Sequence, residues 1–231
     1  MIELETRHDG GLAQDFPIVR RRRMTGLAGG TTVAALAGVT LGKPELATAL
    51  ASRLARSGIV RNDIRRSFGT ASGVARGVPL TVRLRLVSAK SGQPIAGYAV
   101  YLWQADRQGD YSLYSPGLTG ENYLRGVQAS NAQGWVQFRS IFPGTHAERW
   151  PHLHFEVFPS LDAATEATDR LHSARLTLPA DACAAVYARS DYAASRAGLS
   201  AGMAEDGHQL AVASVTGSVD RGFTAVRTVR I

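Results

Sequence analysis

Between Leu80 and Val87 the chain reads Leu-Thr-Val-Arg-Leu-Arg-Leu-Val, apolar and polar residues alternating as far as Leu86. A period of two buries one face of a strand, and no helix can gather those apolar residues on one side. The segments Gly97 to Trp103, Gly134 to Phe138, His152 to Phe158, Ala174 to Leu178, Gln209 to Val215 and Phe223 to Ile231 also read as strands, separated by Gly, Pro, Asn and Ser clusters. Short strands with turn signals between them predict an all-β fold, a β-sandwich. Helix is expected only at Ser160–Arg170 and in a turn near Asp181–Tyr187. With 45% hydrophobic and 19% charged residues the chain is neither disordered nor fibrous, and 231 residues suit one domain with an extension.

The extension lies at the N-terminus. Arg20-Arg21-Arg22-Arg23 precede a weakly apolar run, rich in Gly, Thr and Ala, that reaches Leu41. That run is poorer than the roughly 20 strongly apolar residues of a spanning helix, so no stable membrane anchor is expected. Ala47-Thr48-Ala49 follows as an A-x-A cleavage pattern. Paired arginines before a weak hydrophobic region favour export by the twin-arginine route, to the periplasm or beyond. The alternative is an ordinary amphipathic or disordered arm. The predicted organisation is a signal peptide over 1–49, an arm over 50–75 and a sandwich over 76–231.

Residues 1–49 hold six basic and five acidic side chains, so most of the formal +7 charge belongs to the body. Its arginines are scattered except between Arg53 and Arg66, which reads as a solvated face, and no nucleic-acid binding is expected. A lone Cys183 excludes an internal disulfide and any cysteine-based zinc site, and is expected to be buried.

The strongest chemical signal is Arg149-Trp150-Pro151-His152-Leu153-His154-Phe155-Glu156. Two histidines two apart on a strand point to one face and can grip a single metal ion. Taken alone the pair is also compatible with structural or surface histidines. Cupins use the same spacing but need a later glutamate and histidine at intervals that fit poorly here.

The runs Val78-Pro79-Leu80, Gly92-Gln93-Pro94-Ile95-Ala96-Gly97, Val100-Tyr101-Leu102-Trp103, Gly109-Asp110-Tyr111-Ser112, Leu124-Arg125-Gly126-Val127-Gln128, Gly134-Trp135-Val136-Gln137-Phe138, Ile141-Phe142-Pro143-Gly144 and Arg149 through His154 follow in order. From Arg61 to Ile231 this series resembles the intradiol ring-cleavage dioxygenases. The resemblance implies a prealbumin-like sandwich, a non-haem Fe(III) held by two tyrosinates and two histidines, and O₂-dependent opening of a catechol-type ring. By position, Tyr111, His152 and His154 match metal ligands, and Arg149 matches an arginine beside the substrate. His146 stands where the second tyrosinate is expected. Arg175 stands in place of a glutamine, and Gln104 replaces a histidine that commonly follows the tryptophan. Metal ligands are therefore expected at Tyr111, His146, His152 and His154, with Arg149, His146 and Arg175 at the reaction centre.

Imidazole at 146 can still ligate and accept a proton, but it leaves a ferric centre one negative charge short. Three readings follow: an iron dioxygenase acting on a catechol-type aromatic, a secreted binding protein with a degenerate site, or a metalloenzyme using another ion such as copper. A homo-oligomer is left open.

Overall fold

The computed structural model describes residues 11–25, 58–147, 149–166, 168–205 and 211–231. Its strands are β1 (Pro79–Val87), β2 (Ala99–Trp103), β3 (Arg125–Ala129), β4 (Trp135–Ile141), β5 (His152–Phe158), β6 (His172–Thr177), β7 (Ala211–Val212), β8 (Ser214–Ser218) and β9 (Gly222–Arg230). They form two sheets, in the orders β4-β1-β9-β8 and β3-β2-β5-β6-β7. The alternation in β1 sends Leu80, Val82, Leu84 and Leu86 inward to meet Val100, Leu102, Leu153, Phe155 and Val157 of the facing sheet. This is the expected sandwich, and burying each large apolar side chain contributes about 1.5–3 kcal/mol.

The segment 59–64 straps one edge of both sheets. Val127 N–H donates to Ile59 O (2.8 Å), and Arg139 N–H donates to Asn62 O (2.7 Å). Pairing β3 and β4 in this way covers backbone groups that would otherwise be open edges. Within the basic stretch Arg61 departs from the expected solvated face, while Arg66 is exposed. The Arg61 guanidinium donates to Arg125 O (2.7 and 3.0 Å) and Asn122 O (3.1 Å) and lies over the Phe68 ring at 4.5 Å. Burial lowers its pKa to about 10.

Helix is more extensive than expected: α1 (Gly11–Thr25), α2 (Leu161–Glu166), α3 (Ala180–Tyr187) and α4 (Ala193–Glu205), with a 3₁₀ turn at Ser190–Tyr192. None of the described helices is long and apolar enough to cross a membrane. The C-terminal helices brace one loop. Tyr187 and Tyr192 hydroxyls donate to Pro143 O and Phe142 O (2.8 and 2.9 Å), and Thr145 N–H donates to Ser195 Oγ (3.0 Å). That loop leads to His146.

Strand β5 is buried along its whole length although His152, His154 and Glu156 are polar. One face meets the sandwich core; the other lies under a second layer. There Leu12 and Phe16 of α1, Ile59, Tyr111 and Ala164 pack on Ala99, Tyr101, Trp103, Val127 and Phe158. The residues that follow Thr25, including the A-x-A pattern, lie outside the described residues, as do Arg53 and Arg56.

Candidate metal centre

The histidine pair stands on the covered outer face of β5. His152 Nδ1–H donates to Trp150 O (2.6 Å), which leaves Nε2 to present its lone pair inward. His154 stacks on Trp103, ring centroids 4.8 Å apart and planes 11° from parallel. The two Nε2 atoms are 3.0 Å apart, and the Tyr111 hydroxyl lies 3.3 Å from His154 Nε2. Nitrogen ligands bound at about 2.1 Å and at right angles to one another would be separated by about 3.0 Å, so the pair fits a single ion. Tyr111, His152 and His154 therefore come together as expected.

His146 is placed differently. Its ring meets Tyr111 edge-on, with centroids 5.0 Å apart and planes at 84°. Nδ1–H donates to Gly109 O (2.7 Å), and Nε2 is buried. The three histidines do not close into one cluster: among the described residues no three His, Cys, Asp or Glu side chains gather as a metal set. Tyr111 is the link between His146 and the strand pair.

Each candidate ligand is delivered by a defined device. Buried Asp106 organises the loop before Tyr111, accepting from the N–H groups of Gln108 and Asp110 (2.9 and 3.1 Å) and from the Tyr123 hydroxyl (3.0 Å). Burial raises the pKa of its carboxyl despite those bonds. Tyr111 N–H then donates to Ser115 Oγ (2.9 Å). The Trp150 indole donates to Leu178 O (2.7 Å), pinning the lead into the histidine strand. Arg149 pairs with His146 across a tight turn, its N–H donating to His146 O (3.0 Å), with Ala147 between them at φ 48°. Arg175, half-buried, is the cross-strand partner of His154, so the two share a face.

Gln104 belongs elsewhere. Its amide donates to Ile141 O (2.9 Å) and accepts from the Ser140 hydroxyl (2.7 Å), so it ties β2 to β4. Trp103, one residue earlier, points the opposite way onto His154, as strand alternation requires. Three contributors went unassigned in the sequence reading: Trp103, Thr177 and Gly109. Thr177 faces the site as the cross-strand partner of His152, and its buried hydroxyl has no hydrogen-bond partner among the described residues. Period-two alternation along β2 and β6 is the signal that would have found the first two.

Gly109 holds the two ligand loops in contact. It sits at φ 91°, and a Cβ there would lie 2.0 Å from Thr145 O. Gly109→Ala should destabilise the protein by about 2 kcal/mol or more and weaken metal retention, since both loops must part. Chemical unfolding and metal titration of the variant check this.

Residues 61–172 match the family model Dioxygenase_C, described as a dioxygenase. A 101-residue stretch is 35% identical to 6-chlorohydroxyquinol 1,2-dioxygenase of Cupriavidus pinatubonensis, covering 36% of each chain. An 86-residue stretch is 29% identical to chlorocatechol 1,2-dioxygenase of Rhodococcus opacus, covering 29% of this chain and 34% of that one. The fold matches an intradiol ring-cleavage dioxygenase from Tetranychus urticae at TM-score 0.55 and 20% identity, over 75% of this chain and 86% of that one. Residues 61–172 belong to the intradiol ring-cleavage dioxygenase family. The curated matches span about a third of those relatives' length. The intradiol segment carries Tyr111, His146, Arg149, His152 and His154, while Arg175 and Thr177 lie just beyond it.

Proposed function

We propose that the protein is a non-haem iron dioxygenase that opens catechol-type rings with O₂ to muconate-type dicarboxylic acids. The observation that carries this reading is the approach of the His152 Nε2 atom and the Tyr111 hydroxyl to His154 Nε2, at 3.0 and 3.3 Å. Tyr111, His152 and His154 would hold Fe(III), with His146 as the nearest further donor. When bound, the ion supplies Lewis acidity and draws electron density from a chelating catecholate.

The chain's own residues do the rest. The bond between the two hydroxyl-bearing carbons breaks, and both oxygens of O₂ enter the product, so no further reductant is needed. His146 would take up a substrate hydroxyl proton, the work of the tyrosinate expected there. Arg149, whose backbone pairs with that of His146, would offer its cation to the negative charge that develops on the attacked ring. Arg175 and the Thr177 hydroxyl stand on the same face of β6 beside the two histidines and would orient the substrate. Trp103 fixes the His154 ring by stacking.

The arginine cluster and the A-x-A pattern support export by the twin-arginine route, which moves a protein already folded around its metal. The assay is oxygen uptake by iron-loaded protein with catechol and with hydroxyquinol, alongside ultraviolet detection of ring-opened acid. Equimolar consumption of O₂ and catechol is expected, and none after chelation. Stoichiometric iron without O₂ uptake on either ring would instead support the binding-protein reading.

A further inference from the structure

Helix α1 lies on the metal-bearing face of the sheet, and its fit there is specific. Gly11 adopts φ 65°, and a Cβ at that position would fall 2.2 Å from Glu156 Oε1, so a larger residue would be strained and would have to push the carboxylate aside. Leu12 N–H donates to Glu156 Oε2 (2.9 Å), a carboxylate at the first turn of a helix. Leu12, Phe16 and Val19 are buried. Alone, this segment would be a poor helix: it is short, has no acidic residue in its first turn and carries Pro17 inside. Its contacts with the folded sheet hold it in shape.

The centre of that contact is a fully buried carboxylate. Asp15 accepts from Arg125 Nη1 and from the hydroxyls of Tyr101 and Tyr114. Arg125 is itself fully buried and is fixed by the sandwich: Nε donates to Ser112 Oγ (3.1 Å) and Nη2 to Ser112 O (2.8 Å). Its guanidinium carbon lies 5.2 Å from the centre of the Tyr114 ring. These contacts do not involve α1, so the cation is held without that segment, and Arg125 Nη1 still donates to the Tyr101 hydroxyl (3.3 Å). Around them, Ile59, Trp103, Val127, Phe158 and Ala164 make the apolar wall that now takes Leu12 and Phe16. The arrangement is that of a binding pocket, a forked cation and two hydroxyl donors beside an apolar surface, with one of the chain's own carboxylates as occupant.

We propose that this pocket is a carboxylate site of the folded sandwich, filled in the intact chain by residues 11–19 and opened to an external aromatic carboxylate when that segment is detached. A buried arginine stripped of its anion is strongly unfavourable, so the vacated pocket draws another anion of the same shape. An aromatic carboxylate satisfies the cation with its head and the apolar wall with its ring. The pocket adjoins the metal centre, since Arg125, Trp103 and His154 are successive cross-strand partners in one row.

The test uses the full chain with a specific protease sequence inserted after Ala49, cut after folding and stripped of metal by chelation, so that a carboxylate cannot bind through iron. Benzoate binding is measured by equilibrium dialysis, and retention of the cut fragment by gel filtration. The uncut protein should take up no benzoate. The cut protein should bind it in competition with the fragment. The cut Asp15→Asn protein, whose fragment has lost its charge, should bind benzoate about thirtyfold more tightly than the cut parent. Tyr114→Phe in that background removes one donor without unpairing the arginine and should weaken binding again. Equal benzoate uptake by cut and uncut protein, or uptake indifferent to Asp15→Asn and Tyr114→Phe, would overturn the proposal. Because no turnover is involved, its failure leaves the ring-cleavage reading untouched.

Discussion

His154→Ala should strip the metal from the protein while leaving the sandwich folded. His154 Nε2 lies within 3.0 Å of His152 Nε2 and 3.3 Å of the Tyr111 hydroxyl, so it is the donor that joins the strand pair to the tyrosine. Residues that merely orient metal ligands change affinity by about 10–100-fold, so losing a ligand should exceed about a hundredfold. The fold survives because the apolar residues between the sheets do not include His154, and the cost there is the stacking on Trp103. That contact and the small void left behind amount to about 1–3 kcal/mol. Metal content, the tyrosinate-to-iron absorption and O₂ uptake should therefore vanish together, with the far-ultraviolet circular dichroism unchanged. His172→Ala is the control. His172 sits at the start of β6, packs against Phe155 at 5.6 Å and takes no part in the converging set, so its loss should leave metal content intact. Full metal retention by His154→Ala would place the centre elsewhere.

The parts of this molecule that alternate were legible, and the parts that depend on distant partners were not. Strand β5 was predicted at His152–Phe158 and is found there, and β1 was predicted from Leu80 and begins at Pro79. Strand β3 was quoted as a motif but not read as a strand, because Arg-Gly-Val-Gln-Ala has no alternation and includes a glycine. Its Arg125 side chain is buried against Ser112 of the sandwich and meets Asp15, a partner far away in the sequence. Helix α4 escaped because Ala-Ala-Ser-Arg-Ala-Gly-Leu-Ser-Ala-Gly carries two glycines and no clean apolar stripe. The stretch before the arginine cluster belongs to the predicted signal over 1–49, and no periodic pattern showed that its Leu12, Asp15, Phe16 and Val19 are buried in the intact chain. Period two located the histidine pair without help from any relative. Tyr111 needed the family motif, since one tyrosine in a loop has no periodic signature.

The departure from the family at residue 146 has a direct consequence. With imidazole there, Tyr111 is the tyrosinate available to an iron at this centre, so the bound protein should be paler, and its iron easier to reduce, than with two tyrosinates. His146→Tyr should reverse both: a second hard anionic donor favours the ferric state, lowers the reduction potential and deepens the visible band. The change is not free of structural cost. His146 Nδ1–H now donates to Gly109 O, and a phenol has no donor at that point, so the carbonyl loses its bond at about 1–3 kcal/mol if nothing replaces it. The edge-on contact with Tyr111 must also be remade between two phenols. A stability loss of about that size, read by denaturant unfolding, should accompany the gain in colour. A His146→Tyr protein with the parent's spectrum and potential would show that the side chain at 146 does not reach the ion, and the site would then be Tyr111, His152 and His154 alone.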